Sequence, residues 1–128
     1  MIAKIQPVIT TKAPAAIGPY SQGISAGELV FVSGQTPLRA DGTLVEGSVV
    51  EQTEQCLKNI LEVLLAAGLT MDAVAKTTVY MTDLGKFAEM NEVYAKRFRL
   101  PFPARATVQV AALPKGAAIE IDAVAVRP

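Results

Sequence analysis

The chain is 128 residues long, 51% of its residues are hydrophobic, and 12 lysines and arginines balance 12 aspartates and glutamates. A chain of this length is expected to fold as one domain spanning residues 1–128. Because no stretch concentrates one sign of charge, neither nucleic acid nor an acidic membrane is an expected partner. The mean hydropathy of +0.34 is high for a soluble monomer of this size. We therefore expect a homo-oligomer that buries apolar surface between its subunits.

The chain contains no histidine and a single cysteine, Cys56. Without these ligands, and without an obvious cluster of carboxylates, the sequence offers no metal site. Cys56 has no partner for an intramolecular disulfide, which fits a reducing compartment. The segment from Met1 to Pro7 lacks the apolar core of a signal peptide, and no apolar run reaches membrane-spanning length. We expect a cytoplasmic protein that does not enter a membrane.

The first half of the chain predicts a strand and a long helix. The strand is the short β-rich run from Leu29 to Val32. The helix spans residues 49–67, because Ser48 is suited to the N-cap and Gly68 to the left-handed position that follows a helix. Its apolar stripe recurs at helical spacing, at Val50, Thr53, Leu57, Ile60, Leu61 and Leu64.

The second half predicts a strand, a helix and two further strands. Residues 73–81 alternate and are rich in valine and threonine, which indicates a strand. Asp83 is suited to the N-cap of a second helix that runs to about Phe98. Two strands follow at residues 104–110 and 118–126. The stripe of the second helix comprises Leu84, Phe87, Asn91, Tyr94 and Phe98.

This order of elements favours an α+β domain in which a mixed β-sheet carries two helices packed on one face. No internal repeat, linker or low-complexity segment interrupts the pattern. The helices leave the second face of the sheet uncovered. We expect neighbouring subunits to cover it.

An arginine and a carboxylate stand in strands that otherwise hold small and apolar residues. Alternation places Arg105, Thr107 and Gln109 on one face of their strand, and Glu120 and Asp122 on one face of the next. If the two strands form a hairpin, Arg105 and Glu120 are direct cross-strand neighbours. Spacing alone leaves two interpretations open. They form a structural ion pair, or Arg105 grips a small acid while Glu120 handles water or a proton.

Several other positions are candidates for a site, and each has a structural alternative. Asn91 is either a half-solvated edge residue or an amide that faces an interior polar cavity. Ser33 and Gly34 end a strand, where they form either a tight turn or a cradle of N–H groups and a hydroxyl for a small anion. Tyr20 lies in a rigid turn and, taken alone, is a packing residue. Cys56, without a partner to activate it, is expected to be a small buried hydrophobe.

Six segments along the chain form a pattern that covers nearly its whole length. They are Ala15 to Gly23, Val32 to Gln35, Lys76 to Tyr80, Pro103 to Arg105, Leu113 to Lys115 and Ile119 to Ile121. Together they resemble the RidA family of reactive-imine deaminases, also called the YjgF family. The resemblance implies a chorismate-mutase-like homotrimer whose three subunit clefts hydrolyse 2-imino acids, such as 2-iminobutanoate and 2-iminopropanoate, to 2-oxo acids and ammonia. Pyridoxal-phosphate dehydratases acting on threonine or serine release such imines.

The same resemblance implies roles for individual residues. Arg105 would bind the substrate carboxylate, and Glu120 would orient or activate the attacking water. Thr107 stands where some members have cysteine, so only a backbone contact with the substrate is expected there. Asp122 replaces a glutamate common in the family and lies outside the expected pocket. The other matching pocket positions are Tyr20, Ser33, Gly34 and Asn91.

Imine hydrolysis would need no cofactor, because a protonated imine is already electrophilic and the enzyme only has to position it and manage protons. Two alternatives stay open. A non-catalytic regulatory trimer that binds 2-oxo acids would use the same Arg105, but would have little reason to place Glu120 beside an anionic ligand. A ribonuclease or translation inhibitor is disfavoured, because the chain has no net charge and no histidine.

Overall fold

The computed structural model describes residues 4–128. Its six strands are β1 (Ile5–Val8), β2 (Gly23–Ala26), β3 (Leu29–Gln35), β4 (Val74–Met81), β5 (Ala104–Gln109) and β6 (Ile119–Val126). They form one sheet in the order β1-β2-β3-β6-β4-β5. Neighbouring strands are antiparallel except β4 and β5, which are parallel. The predicted α+β class and mixed sheet are confirmed.

Two helices, α1 (Val49–Ala66) and α2 (Phe87–Arg97), pack against each other and against one face of the sheet. The start of α1 is as predicted: the Ser48 hydroxyl accepts the Glu51 N–H, and the Glu51 carboxylate accepts the Ser48 N–H. Gly68 follows the helix with a left-handed φ of +81°. No helix among residues 4–128 is long and apolar enough to cross a membrane.

The core lies between α1, α2 and the inner face of the sheet. Ile119 and Ile121 of β6 point into it, so Glu120 and Asp122 point to the other face, as alternation predicted. Cys56 is fully buried in the core, and this burial raises the pKa of its thiol well above the ordinary value. Cys56 is therefore the small buried hydrophobe expected from the sequence.

The second helix differs from its prediction at the N-terminal end. Asp83 accepts a backbone N–H from Gly85, but it caps a separate 3-10 turn at Leu84–Lys86 and not α2 itself. A 3-10 turn places its side chains at different angles from an α-helix. Leu84, in this turn, and Phe87, the first residue of α2, are both 39% exposed and do not belong to the core. The buried positions of α2 are Met90, Val93 and Tyr94.

Sequence patterns missed two strands and the length of a third. β1 contains Pro7 and β2 begins at Gly23, residues that disfavour strands but are tolerated near a sheet edge. β3 continues to Gln35, because a register shift between Val32 and Gln35 carries the strand through Ser33-Gly34. The tight turn predicted at Ser33-Gly34 is therefore wrong.

The last two strands do not form the hairpin under which Arg105 and Glu120 would be cross-strand neighbours. β5 pairs with β4 in parallel, with Arg105 opposite Thr77, whereas β6 pairs with the other side of β4, with Glu120 opposite Tyr80. The cause lies in α2, since a strand-helix-strand crossover brings β5 alongside β4 in the parallel direction. β6 then fills the position between β3 and β4. β4 consequently separates Arg105 from Glu120.

The face of the sheet that the helices leave uncovered is partly apolar. Phe31 of β3 lies opposite Val124 of β6, and Leu29 lies opposite Val126, so hydrophobic side chains adjoin across the two strands. Val108 of β5 adds another. The large side chains on this face that remain between 38% and 43% exposed are Leu29, Phe31, Val108 and Val126. We call these four residues the apolar sheet face.

Candidate active site

Arg105 on β5 is a cation without an ionic partner among residues 4–128. Its Nη1 donates a 2.8 Å hydrogen bond to Oδ1 of Asn91 on α2. Its guanidinium lies over two rings, 4.8 Å from the centroid of Tyr94 and 5.4 Å from that of Phe87. No carboxylate within residues 4–128 forms an ion pair with it. Its other donors are free to hold a planar anion, such as a carboxylate, at two points.

The residues around Arg105 come from one side of α2. Phe87, Asn91 and Tyr94 recur at helical spacing, which places them on the same face of the helix. The Tyr94 hydroxyl shares a 2.7 Å hydrogen bond with the Thr77 hydroxyl of β4, which fixes the ring beneath the guanidinium. Asn91, Tyr94 and Arg105 line a cavity of about 400 Å³. We call Phe87, Asn91, Tyr94 and Arg105 the arginine half-site.

Glu120 on β6 is a half-buried carboxylate that forms no ion pair and accepts no hydrogen bond within residues 4–128. Its burial raises the pKa of the carboxyl group above the ordinary value, and the charge of Asp122 raises it further. Among the same residues, no group of three acidic or cysteine side chains is placed to hold a metal ion. Glu120 is therefore available as a base of more than ordinary strength.

Because Gly34 has no side chain, there is space beside it for the Glu120 carboxylate. A Cβ at this position would lie 2.2 Å from Oε2 of Glu120, so any side chain would displace the carboxylate. The cleft in front of them has a volume of about 530 Å³, and its lining includes Tyr20, Leu38 and Lys115. We call Tyr20, Gly34 and Glu120 the glutamate half-site.

The segment before β2 positions the edge of this cleft. Tyr20 is 54% exposed there. Buried Gln22 anchors the segment, because its amide bonds the backbone of Thr10 and Pro14. The Ser33 hydroxyl donates to the carbonyl of Ser21 and thereby joins this segment to β3. Ser33 therefore supports the backbone beside Gly34, and its hydroxyl hydrogen is already used.

Thr107 lies two residues beyond Arg105 on β5 and faces the same side of the sheet. Its hydroxyl oxygen is buried and has no hydrogen-bond partner within residues 4–128. Buried polar groups are normally bonded. The Thr107 hydroxyl is thus available for a hydrogen bond on β5, the strand that carries Arg105.

The two half-sites are separate within one chain. Arg105 lies opposite Thr77 of β4, and Glu120 lies opposite Tyr80. Because Thr77 and Tyr80 are an odd number of residues apart, Arg105 and Glu120 point to opposite faces of the sheet. The expectation that they are direct cross-strand neighbours is wrong, and they form no ion pair within residues 4–128.

Sequence reasoning missed two members of the arginine half-site and one residue that lines the cleft of the glutamate half-site. Phe87 and Tyr94 were assigned to a core stripe, although both rings lie against the guanidinium and Tyr94 also reaches the core. Their helical spacing from Asn91 is the signal that links them. Lys115 lines the cleft from a left-handed backbone position, φ 58°, and its ammonium donates to the Gly42 carbonyl at 2.9 Å. A loop lysine has no periodicity by which to predict this contact.

Residues 10–127 match the family described as Endoribonuclease L-PSP. The 2-iminobutanoate/2-iminopropanoate deaminase of Mus musculus is 50% identical over 121 residues, which cover 94% of this chain and 90% of the relative. The protein of the same name from Homo sapiens is 49% identical over 129 residues, 99% of this chain and 94% of the relative. The solved structure of E. coli TdcF with bound serine has a TM-score of 0.92 at 42% identity, covering 96% of this chain and 99% of TdcF. This chain therefore belongs to the Endoribonuclease L-PSP family, and the RidA (YjgF) resemblance seen in its sequence is confirmed.

Proposed function

We propose that this protein is a deaminase that hydrolyses reactive 2-imino acids, 2-iminobutanoate and 2-iminopropanoate among them, to 2-oxo acids and ammonia. The observation that carries the proposal is a pair of unpartnered ionic groups. Arg105 has free donors for a carboxylate, and Glu120 is a strengthened base in an open cleft. The relatives at 49% and 50% identity that are named deaminases support the same activity.

The substrate carboxylate binds at the arginine half-site. The guanidinium presents two parallel N–H groups to the two carboxylate oxygens. Asn91 accepts one of the remaining N–H groups, and the Tyr94 ring lies beneath the guanidinium plane. The fork is thus oriented before the substrate arrives, which reduces the entropy lost on binding.

Glu120 acts first as the general base and then as the general acid of the reaction. It accepts a proton from water as the water oxygen bonds to the carbon of the protonated imine and the C=N π electrons move to nitrogen. Glu120 then returns that proton to the nitrogen, and the C–N bond breaks. The new hydroxyl loses its proton to the departing ammonia as the C=O bond of the 2-oxo acid forms. A carboxyl group with a raised pKa is suited to both transfers.

A homotrimer brings the two half-sites together. In a closed ring of subunits, the arginine half-site of one chain faces the glutamate half-site of the next, which gives three equivalent clefts. The apolar sheet face supplies contact surface that would be buried by this assembly. The assembly thus accounts for both the exposed hydrophobic residues and the separation of Arg105 from Glu120.

A binding protein without turnover is the second candidate function, because the relative TdcF was solved with bound serine. Such a protein would hold 2-oxo acids or amino acids through Arg105. Glu120 argues against it, since a carboxylate beside an anionic ligand weakens binding unless it takes part in chemistry.

Despite the wording of the family description, we infer no nucleic-acid partner. The chain has no net charge and no histidine, whereas phosphate backbones favour basic surfaces. We also infer a cytoplasmic location. The single cysteine, Cys56, is free, and free thiols are typical of a reducing compartment.

The proposed function is tested by adding the purified protein to a mixture of threonine dehydratase, threonine and semicarbazide. Semicarbazide traps free imine, so a deaminase lowers the yield of semicarbazone. We expect the wild-type chain to lower it and Glu120→Gln to act roughly 10²–10⁴-fold more slowly, the range for lost general-base help.

Calorimetry with 2-oxobutanoate supplies the control. Binding should survive in Glu120→Gln, or tighten, because a negative charge is removed from beside an anionic ligand. Equal hydrolysis by both proteins would remove Glu120 from the mechanism. A wild-type chain without effect on trapping would favour the binding protein.

Arg105→Lys keeps the positive charge but loses the two-point fork and the stacking on Tyr94. We expect kcat/KM for the imine to fall by roughly 30-fold or more, equivalent to about 2 kcal/mol. Arg99→Lys is the matched control, because the Arg99 side chain is 85% exposed and lies 3.8 Å from its carboxylate partner. If both lysine variants keep wild-type kcat/KM, the substrate carboxylate is held elsewhere.

Phe31→Glu places a charge in the apolar sheet face and should dissociate the trimer. Sedimentation velocity at micromolar concentration is expected to give a trimer for the wild type and smaller species for Phe31→Glu, with parallel loss of activity. Leu65→Glu, at a position 49% exposed on α1, is the control and should remain trimeric. A monomeric wild type would contradict both the assembly and the shared site.

A further inference from the structure

A second carboxylate stands beside Glu120 on the uncovered face of the sheet. Asp122 is two residues further along β6 and shares the face of Glu120. Two residues of a strand span about 6.6 Å, so each carboxylate lies within the electric field of the other. Asp122 has no part in binding the substrate carboxylate or in the proton transfers of Glu120.

The Asp122 carboxylate is fixed by two hydrogen bonds from β4. The Thr78 backbone N–H donates to Oδ1 at 3.1 Å, and the Tyr80 hydroxyl donates to Oδ2 at 3.1 Å. The register supplies both donors, since Thr78 lies opposite Asp122 and Tyr80 lies opposite Glu120. Both oxygens of Asp122 are thus satisfied, whereas those of Glu120 have no donor within residues 4–128. These bonds hold the Asp122 carboxylate in place, and the Glu120 carboxylate is left without a donor among the described residues.

We propose that Asp122, fixed by Thr78 and Tyr80, is a positioning residue for the deaminase reaction, whose negative charge makes Glu120 a stronger base toward the attacking water. The inference rests on the proposed function and extends it to a residue that does not touch the substrate. A nearby negative charge disfavours ionised Glu120 and favours its protonated form. Glu120 therefore takes the proton from water more readily when Asp122 is charged.

Two further titratable groups lie near Glu120 and stay neutral: Tyr80, opposite it on β4, and Cys56, in the core on the other side of the sheet. Burial, followed by the hydrogen bond to Asp122, raises the pKa of the Tyr80 hydroxyl above its ordinary value. Burial, followed by the charge of Glu120, raises the pKa of the Cys56 thiol well above its ordinary value. On β4 and β6, the charged residues that share the face of Glu120 are Asp122 and Lys76, and Lys76 is the more distant along the strands because it lies opposite Val124.

The loops around the cleft contribute Tyr20, Asp41 and Lys115. The Lys115 ammonium donates to the Gly42 carbonyl and forms no ion pair with Glu120. In the proposed trimer, the adjacent subunit adds Arg105 to the same cleft. All these groups remain in place when only Asp122 is changed, so their effects cancel in a comparison of variants.

Replacing Asp122 by a neutral residue should lower the pKa of Glu120. Asp122→Asn removes a charge that raises the pKa of Glu120, so Glu120 stays ionised to lower pH. Its base strength falls at the same time. The ratio of the variant rate to the wild-type rate should therefore be below one near neutral pH and should rise as the pH falls.

The test is the pH profile of kcat and KM in the semicarbazide competition assay, from about pH 5 to about pH 9. Near neutral pH we expect Asp122→Asn to lower kcat by about 2- to 10-fold with little change in KM, and its acid limb to move to lower pH. Asp122→Glu should restore the wild-type profile because it restores the charge. Asp72→Asn is the control, because it also removes one negative charge. Asp72 lies in the 3-10 turn that precedes β4, at the end of the strand away from Tyr80, so the profile should stay unchanged.

A second measurement does not depend on activity. The carboxyl carbon of Glu120, labelled with carbon-13 and assigned by its absence in Glu120→Gln, is titrated by NMR in the assembled protein. We expect a lower titration midpoint in Asp122→Asn than in the wild type. An unchanged midpoint, or a rate lowered by the same factor at every pH, would overturn the role of Asp122. Absence of hydrolysis by the wild type would instead overturn the proposed function and leave the NMR result standing.

Discussion

The parallel pairing of β4 with β5 determines where the two ionic groups of this protein can meet. The crossover through α2 places Arg105 on the helix-covered face, where Asn91 and Tyr94 orient its guanidinium. β6 pairs with the other side of β4 with Glu120 opposite Tyr80, and this register turns Glu120 to the uncovered face beside Gly34. The fold thus builds two incomplete sites. Within one chain, Arg105 and Glu120 therefore cannot act on the same substrate molecule.

Leaving two half-buried ionic groups without ionic partners costs stability, because desolvation is not offset by a neighbouring opposite charge. Natural sequences tolerate such local conflicts chiefly at functional sites. In the proposed trimer, Arg105 keeps its two parallel N–H groups for a substrate carboxylate, and Glu120 remains a base whose pKa is raised by burial. The fixed charge of Asp122 acts in the same direction, since it favours the protonated form of Glu120. Burial of the apolar sheet face in the proposed trimer would supply a compensating gain.

Local signals predicted local structure well. The N-cap at Ser48 and the left-handed Gly68 fixed the ends of α1 to within a residue, and the family resemblance supplied the site residues. Pairing between distant strands leaves no local mark, so the position of β6 between β3 and β4 was not predictable from alternation. The 3-10 turn at Leu84–Lys86 took Leu84 out of the predicted helix. β1 and β2 were not predicted, because Pro7 and Gly23 disfavour strands. Near a sheet edge such residues are tolerated, so residue preferences are a weaker guide there.

The shared site is tested most directly by mixing two inactive variants. Arg105→Ala and Glu120→Gln, each inactive alone, are unfolded together in equal amounts and refolded so that their subunits mix at random. If each cleft takes Arg105 from one subunit and Glu120 from the next, every mixed trimer regains one intact site. The mixture should then recover about a quarter of wild-type activity. No recovery, with mixed trimers verified by native mass spectrometry, would contradict the account.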